Sequence, residues 1–99
     1  MVKRKIIWSH RARIALYSIL NYFAERNKSK SYSARLYKKI NQNIRILKKY
    51  PDIGIRTEME NVRGLITGHY IVYYEITDAA IIIHSIWDSR QNPDNLKIK

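Results

Sequence analysis

Three segments in the last third of the chain, 61–67, 69–76 and 80–87, are rich in Ile, Val, Tyr and Thr, and very little separates them. Gly68 alone stands between the first two, and Thr77-Asp78-Ala79 between the second and third. β-Branched and aromatic side chains suit a pleated, half-buried surface. Parallel neighbours need a crossover of about a dozen residues, so links this short force antiparallel pairing. The middle segment is apolar on both sides, with Tyr70, Val72, Tyr74 and Ile76 alternating with Ile71 and Tyr73. One face is therefore expected under helices, and the other, too apolar for open water, is expected to form a groove for a partner.

The helices come from the first half. Lys3–Trp8 reads as a short strand, and Ser9 is a good N-cap. Between His10 and Lys28, the steps Ala12, Leu16, Ile19 and Phe23 trace one helical face. Asn27–Lys30 interrupts the pattern. A second helix is expected to start at a Ser31 or Ser33 cap, carry the stripe Leu36 or Tyr37, Ile40, Ile44 and Leu47, and run to about Tyr50. Pro51 stops it, because proline lacks the amide donor and disfavours helix in the residue before it. Gly54 follows as a turn residue. The expected order is β-α-α-β-β-β, an α+β fold with two antiparallel helices on one face of a small, mainly antiparallel sheet. At 99 residues it is expected to be one domain, 1–99.

Charge divides the chain as sharply as periodicity does. Residues 1–49 hold fourteen Lys and Arg against Glu25 alone, and residues 50–99 hold five against seven acids. A field this lopsided favours a polyanionic partner: nucleic acid, an acidic protein segment or an anionic surface. Solubility is the plain alternative. No apolar run approaches the length of a membrane span, so no membrane partner is expected. Basic residues 3–5 precede only Ile6-Ile7-Trp8, too short for a secretory signal, and cysteine is absent. Cytoplasmic work is therefore expected, without disulfides or thiolate chemistry.

Much catalytic machinery is missing. The three glycines are isolated, which excludes a phosphate-cradling loop. His10, His69 and His84 lack metal-ligand spacing, and the acids form no paired-carboxylate pattern, so neither metal nor cofactor is expected. What remains near the sheet is a set of cations and phenols: Arg56, Arg63, His69, Tyr70, Tyr73, Tyr74, His84 and Arg90. Arginine grips phosphate in a bidentate fork, and Tyr or His can move protons or stack on bases. Each has a structural reading as well: Tyr73 as core or rim, His84 as a satisfied mid-strand histidine, and Arg63 and Arg90 as surface salt-bridge partners.

Several stretches, taken in order, resemble the RelE/ParE superfamily of bacterial toxins. They are Ile7-Trp8-Ser9 before a helix, a basic second helix ending Leu47–Tyr50-Pro51 with Gly54 beyond, Val62-Arg63-Gly64-Leu65, Tyr70–Tyr74, and Ile86-Trp87-Asp88-Ser89-Arg90-Gln91-Asn92-Pro93. The resemblance covers about residues 6–93 and implies the toxin of a type II toxin–antitoxin pair, neutralised by an acidic antitoxin that wraps it. ParE-like members inhibit DNA gyrase, and RelE-like members cleave messenger RNA at the ribosome without a metal. The RelE-like pattern has two lysines two residues apart before the glycine turn, where this chain has Asn61 and Arg63. Its arginine after that turn is replaced by Tyr70, with His69 alongside. Its arginine after the last strand is matched by Arg90, and its tail tyrosine has no counterpart. The gyrase reading is thus favoured. Cleavage by Arg63, His69, Tyr70 and Arg90 is the alternative, and a non-toxic RNA-binding module or an inactive member is the further one. Arg11, Arg35, Lys38, Arg45 and Lys48 are the cations expected to meet the antitoxin's carboxylates.

Overall fold

A computed structural model describes residues 4–89. Strand β1 (Lys5–Trp8) leads into helix α1 (His10–Arg26), which turns back as α2 (Ser31–Ile46). A single 3₁₀ turn, Pro51–Ile53, precedes strands β2 (Ile55–Arg56), β3 (Val62–Thr67), β4 (Tyr70–Ile76) and β5 (Ala80–Asp88). The five strands lie in the order β1-β5-β4-β3-β2. Strands β2 to β5 pair antiparallel, as the short links require, and β1 closes the far edge parallel to β5. The expected α+β order thus holds, with the two-residue β2 added to it.

Ser9 caps α1 as expected: its Oγ accepts from the Ala12 amide at 3.0 Å. The same hydroxyl donates to the His84 carbonyl at 3.1 Å, pinning the helix start to β5. The cap of α2 departs from expectation. Its N-cap is Lys30, which makes no side-chain bond. Ser33 is instead buried and donates its Oγ to the Leu20 carbonyl at 2.7 Å, a polar link between the two helices. Helix α2 also ends at Ile46, short of Tyr50. The amides of Leu47, Lys48 and Lys49 bond three residues back, which tightens the last turn before Pro51.

The core gathers Ala12 and Leu16 of α1, Ile40, Ile44 and Leu47 at α2, and one side of the sheet: Leu65, Tyr70, Val72, Tyr74, Ile81, Ile83 and Ile86. Both apolar stripes are therefore the buried faces. Leu36, not Tyr37, completes the α2 stripe, since Leu36 packs against the core and Tyr37 is exposed. The other sheet side carries exposed Ile7 and Ile66 beside the buried Tyr73.

A β-bulge breaks the β4–β5 ladder. Tyr73 faces Ser85 and Tyr74 faces Ile83, so His84 is the extra residue. Its imidazole lies 2.8 Å from Glu75 Oε1, the satisfied mid-strand role. Gly54 has an extended backbone (φ −71°, ψ 162°), so its need is for space. A Cβ there would lie 2.5 Å from the Tyr74 hydroxyl.

Candidate functional site

Of the four cleavage candidates named from sequence, the three within the described residues, Arg63, His69 and Tyr70, do not converge. Arg63 pairs with Tyr74 across the β3–β4 hairpin, while Tyr70 pairs with Thr67 at its other end. Four residues of strand separate the two positions, about 13 Å. The Arg63 guanidinium is engaged in structure. Its Nη1 donates to the carbonyls of Gly54 (2.9 Å) and Asp52 (3.2 Å), and its Nη2 lies 3.8 Å from the Asp52 carboxylate. These contacts fasten the 3₁₀ turn to β3.

Beside Arg63, the Tyr74 phenol donates to the Pro51 carbonyl at 2.6 Å and accepts from the Gly54 amide at 3.0 Å. Burial pushes this phenol above its ordinary value of 10.0, outweighing the opposite pull of the Gly54 N–H and the Arg63 charge. Tyr73 is raised by burial as well. Both phenols are protonated at neutral pH and serve the fold.

His69 is exposed in the β3–β4 turn, and its carbonyl accepts from the Ser89 amide at 2.7 Å and hydroxyl at 2.8 Å. Tyr70 is 3% exposed and lies beneath α1. Asn61 occupies the turn before β3 with φ +68°. Arg90 lies outside the described residues. Hence His69 and Tyr70 share one end of the hairpin and Arg63 holds the other. Among the described residues, no three of His, Asp and Glu come together in a way that could hold a metal ion.

A groove runs along the flank of α1 beside β5. One part, an open cleft of about 660 Å³, is lined by Ser18, Ile19, Tyr22, Phe23, Arg26, Tyr70 and Asp88. A second part, about 240 Å³, is lined by Arg11, Ala15, Ile19 and Ser85–Asp88. Strand β1 pairs with Ala80–Ile83, so among the described residues no strand lies beside the backbone edge of Ser85–Trp87 on that side. At the groove's far end the Phe23 ring packs edge-on against Tyr22 (5.1 Å) and Tyr32 (4.9 Å), and Arg26 lies 5.9 Å from the Tyr22 ring centre. The one sequence signal for this cluster is the four-residue step from Tyr22 to Arg26, which sets two exposed side chains on the same helix flank. The cleft itself needs α1 placed over β5 and is invisible before folding.

The five expected antitoxin cations divide between two places. Arg11 lines the groove. Arg35, Lys38 and Arg45 project from the outer side of α2, opposite its buried stripe, and Lys48 lies in the turn that follows. No helix among the described residues is long and apolar enough to cross a membrane.

Comparison with known proteins places this arrangement. The structure is similar to a chain of the chromosomal ParDE TA system from P. aeruginosa, with TM-score 0.74 and 16% identity over 85% of this chain and 94% of that one. It is also similar to a chain of the E. coli DinJ-YafQ toxin-antitoxin complex, with TM-score 0.54 and 12% identity over 88% and 93%. At such identities the likeness is one of fold. No curated protein sequence matches the chain. The model of the ParE toxin of type II toxin-antitoxin systems matches residues 6–93, nearly the whole sequence. Together with the helix hairpin on its five-stranded sheet, that match identifies the chain as a member of the ParE toxin family of type II toxin–antitoxin systems.

Proposed function

We propose that this toxin stops growth by acting on DNA gyrase and that an acidic antitoxin, seated in the groove between α1 and β5, holds it inactive. The observation that carries the gyrase reading is the dispersal of the nuclease-type groups. Metal-free phosphodiester cleavage needs a phosphate-binding cation and a proton-transfer group within hydrogen-bond reach of one scissile bond. Here Arg63 is committed to the Asp52 and Gly54 carbonyls, about 13 Å along the hairpin from Tyr70.

The antitoxin reading rests on the groove. It combines aromatic and aliphatic walls, a backbone edge at Ser85–Trp87 that lies beyond the end of β1, and Arg11 at its rim. An extended or helical segment with acidic residues matches those three features. The excess charge of the N-terminal half draws such a segment in from a distance, so Arg35, Lys38, Arg45 and Lys48 contribute to the association rate.

The decisive experiment titrates the chain into an ATP-dependent supercoiling assay with purified gyrase, and follows messenger RNA by primer extension in cells expressing it. Supercoiling is expected to fail at toxin concentrations comparable to gyrase, with no new messenger RNA ends. Intact supercoiling accompanied by new cuts in messenger RNA refutes the gyrase reading and restores the nuclease one.

A further inference from the structure

The outward side of α2 carries a row of cations. Arg35, Lys38 and Arg45 lie along it with Lys39 alongside and neutral Gln42 between, and Lys49 follows in the turn beyond Ile46. All are exposed, and no acid occurs between Glu25 and Asp52. The Arg63–Asp52 ion pair and the His84–Glu75 contact both lie away from α2.

This row works against the helix that carries it. A helix gains from acids in its first turn, and α2 has none there. Like charges three or four residues apart repel, as Arg35 does with Lys38 and Lys39. Only the cations of the last turn, such as Arg45, complement the helix dipole. The buried stripe on the opposite side already accounts for the packing of α2, so its own stability does not call for the row.

We propose that the outer face of α2 is a phosphate-binding surface for duplex DNA. Sixteen residues of helix extend about 24 Å, roughly the rise of seven base pairs. Guanidinium and ammonium groups spaced along one side suit the regular phosphates of a duplex backbone, which fix position without reading sequence. A single strand is a poorer match, because single-strand binders stack bases on aromatic side chains. On α2 the exposed Tyr37 lies about a third of a turn from the row, and Tyr50, beyond the helix end, has its ring 5.6 Å from the Lys49 ammonium, which gives one aromatic at one end and no series for successive bases. The choice of DNA rests on the gyrase reading, since gyrase works on a DNA duplex. The surface would hold the toxin on the DNA segment that the enzyme grips.

The first measurement needs neither gyrase nor antitoxin. The purified chain is titrated against a fluorescent 30-base-pair DNA duplex by anisotropy between about 50 and 200 mM salt. With about five phosphates neutralised, affinity is expected to fall about 500-fold over that range, a log–log slope near −4.5. The triple variant Arg35→Gln, Lys38→Gln, Arg45→Gln, checked for an unchanged circular dichroism spectrum and melting point, should bring the slope to about −2. The double variant Lys5→Gln, Arg56→Gln, which removes exposed cations away from α2, should leave the slope within about half a unit of the wild type. Equal effects of the two variants overturn the assignment to α2. Tighter binding to an RNA duplex of the same sequence overturns the choice of DNA. If the triple variant slows antitoxin binding and leaves DNA affinity alone, the face belongs to the antitoxin and the proposal fails. A chain that inhibits gyrase equally well with the triple variant keeps the gyrase reading and loses this one.

Discussion

Removing one oxygen atom should test how the segment after α2 is fastened to the sheet. Tyr74 is fully buried, and its hydroxyl bridges the Pro51 carbonyl and the Gly54 amide. Tyr74→Phe preserves the ring, so the cavity cost is small. It deletes two hydrogen bonds, each contributing about 1 kcal/mol net, and leaves the buried Gly54 amide without its partner. The expected loss is about 2–3 kcal/mol. At about 4–8 °C per kcal/mol for a domain of this size, the melting point should drop by at least about 8 °C.

The same contact makes Gly54 intolerant of a side chain. A Cβ there would lie 2.5 Å from the Tyr74 hydroxyl, 2.8 Å from its Cε1 and 3.0 Å from the Gly64 carbonyl. Gly54→Ala alone should therefore cost about 1–3 kcal/mol by overpacking. In the double variant the closest of these atoms is gone, so the combined loss should fall short of the sum by more than about 0.5 kcal/mol. Urea unfolding of the four proteins, followed by circular dichroism, measures all three quantities. A Tyr74→Phe protein within about 0.5 kcal/mol of the wild type, or strict additivity, refutes the bridging role.

Leu16→Ala and Ile44→Ala, at positions 4% and 2% exposed, should each cost about 2–5 kcal/mol in the same assay, and losses below about 0.5 kcal/mol at both would remove α1 and α2 from the core. Ser9→Ala deletes the α1 cap and the tie to the His84 carbonyl, so a loss of about 1–2 kcal/mol is expected. Ser33→Ala should cost about 1 kcal/mol by deleting the hydrogen bond that ties α2 to the Leu20 carbonyl. Tyr73 and Tyr74 keep their protons in the folded state at pH values where the unfolded chain releases them. Their contribution is complete below about pH 10 and lost as pH rises above it, so Tyr74→Phe should flatten the alkaline limb of a stability–pH curve.

Much of this architecture was legible because the periodicities are clean. The stripe Ala12, Leu16, Ile19 and Phe23 and its α2 counterpart are the buried helix faces, and the short links at Gly68 and 77–79 fix the meander. Strand β2 was not legible, since Ile55–Arg56 is two exposed residues whose pairing depends on β3 lying beside them. The capping of α2 misled because Ser33 has the right chemistry for a cap yet finds its acceptor on α1, a tertiary partner no local pattern reveals. Arg63 was singled out as a phosphate-gripping cation or a surface salt-bridge partner, whereas the carbonyls that occupy it, those of Asp52 and Gly54, come from eleven and nine residues earlier and reach it only after folding. The groove arises only when α1 lies across β5, from residues about seventy apart in sequence.

The parallel pairing of β1 with β5 has a consequence for synthesis. Lys5–Trp8 finds its neighbouring strand in Ala80–Ile83, some seventy-five residues later. As the chain leaves the ribosome, the two helices emerge with their apolar stripes bare and must wait for the sheet. Closing so long a loop delays the last step and slows folding relative to a helical protein of equal length. A product interrupted before Ala80 leaves β1 with no neighbour and β4 with one open edge. Abandoned translation of such a gene therefore releases fragments that cannot assemble the toxin's sheet.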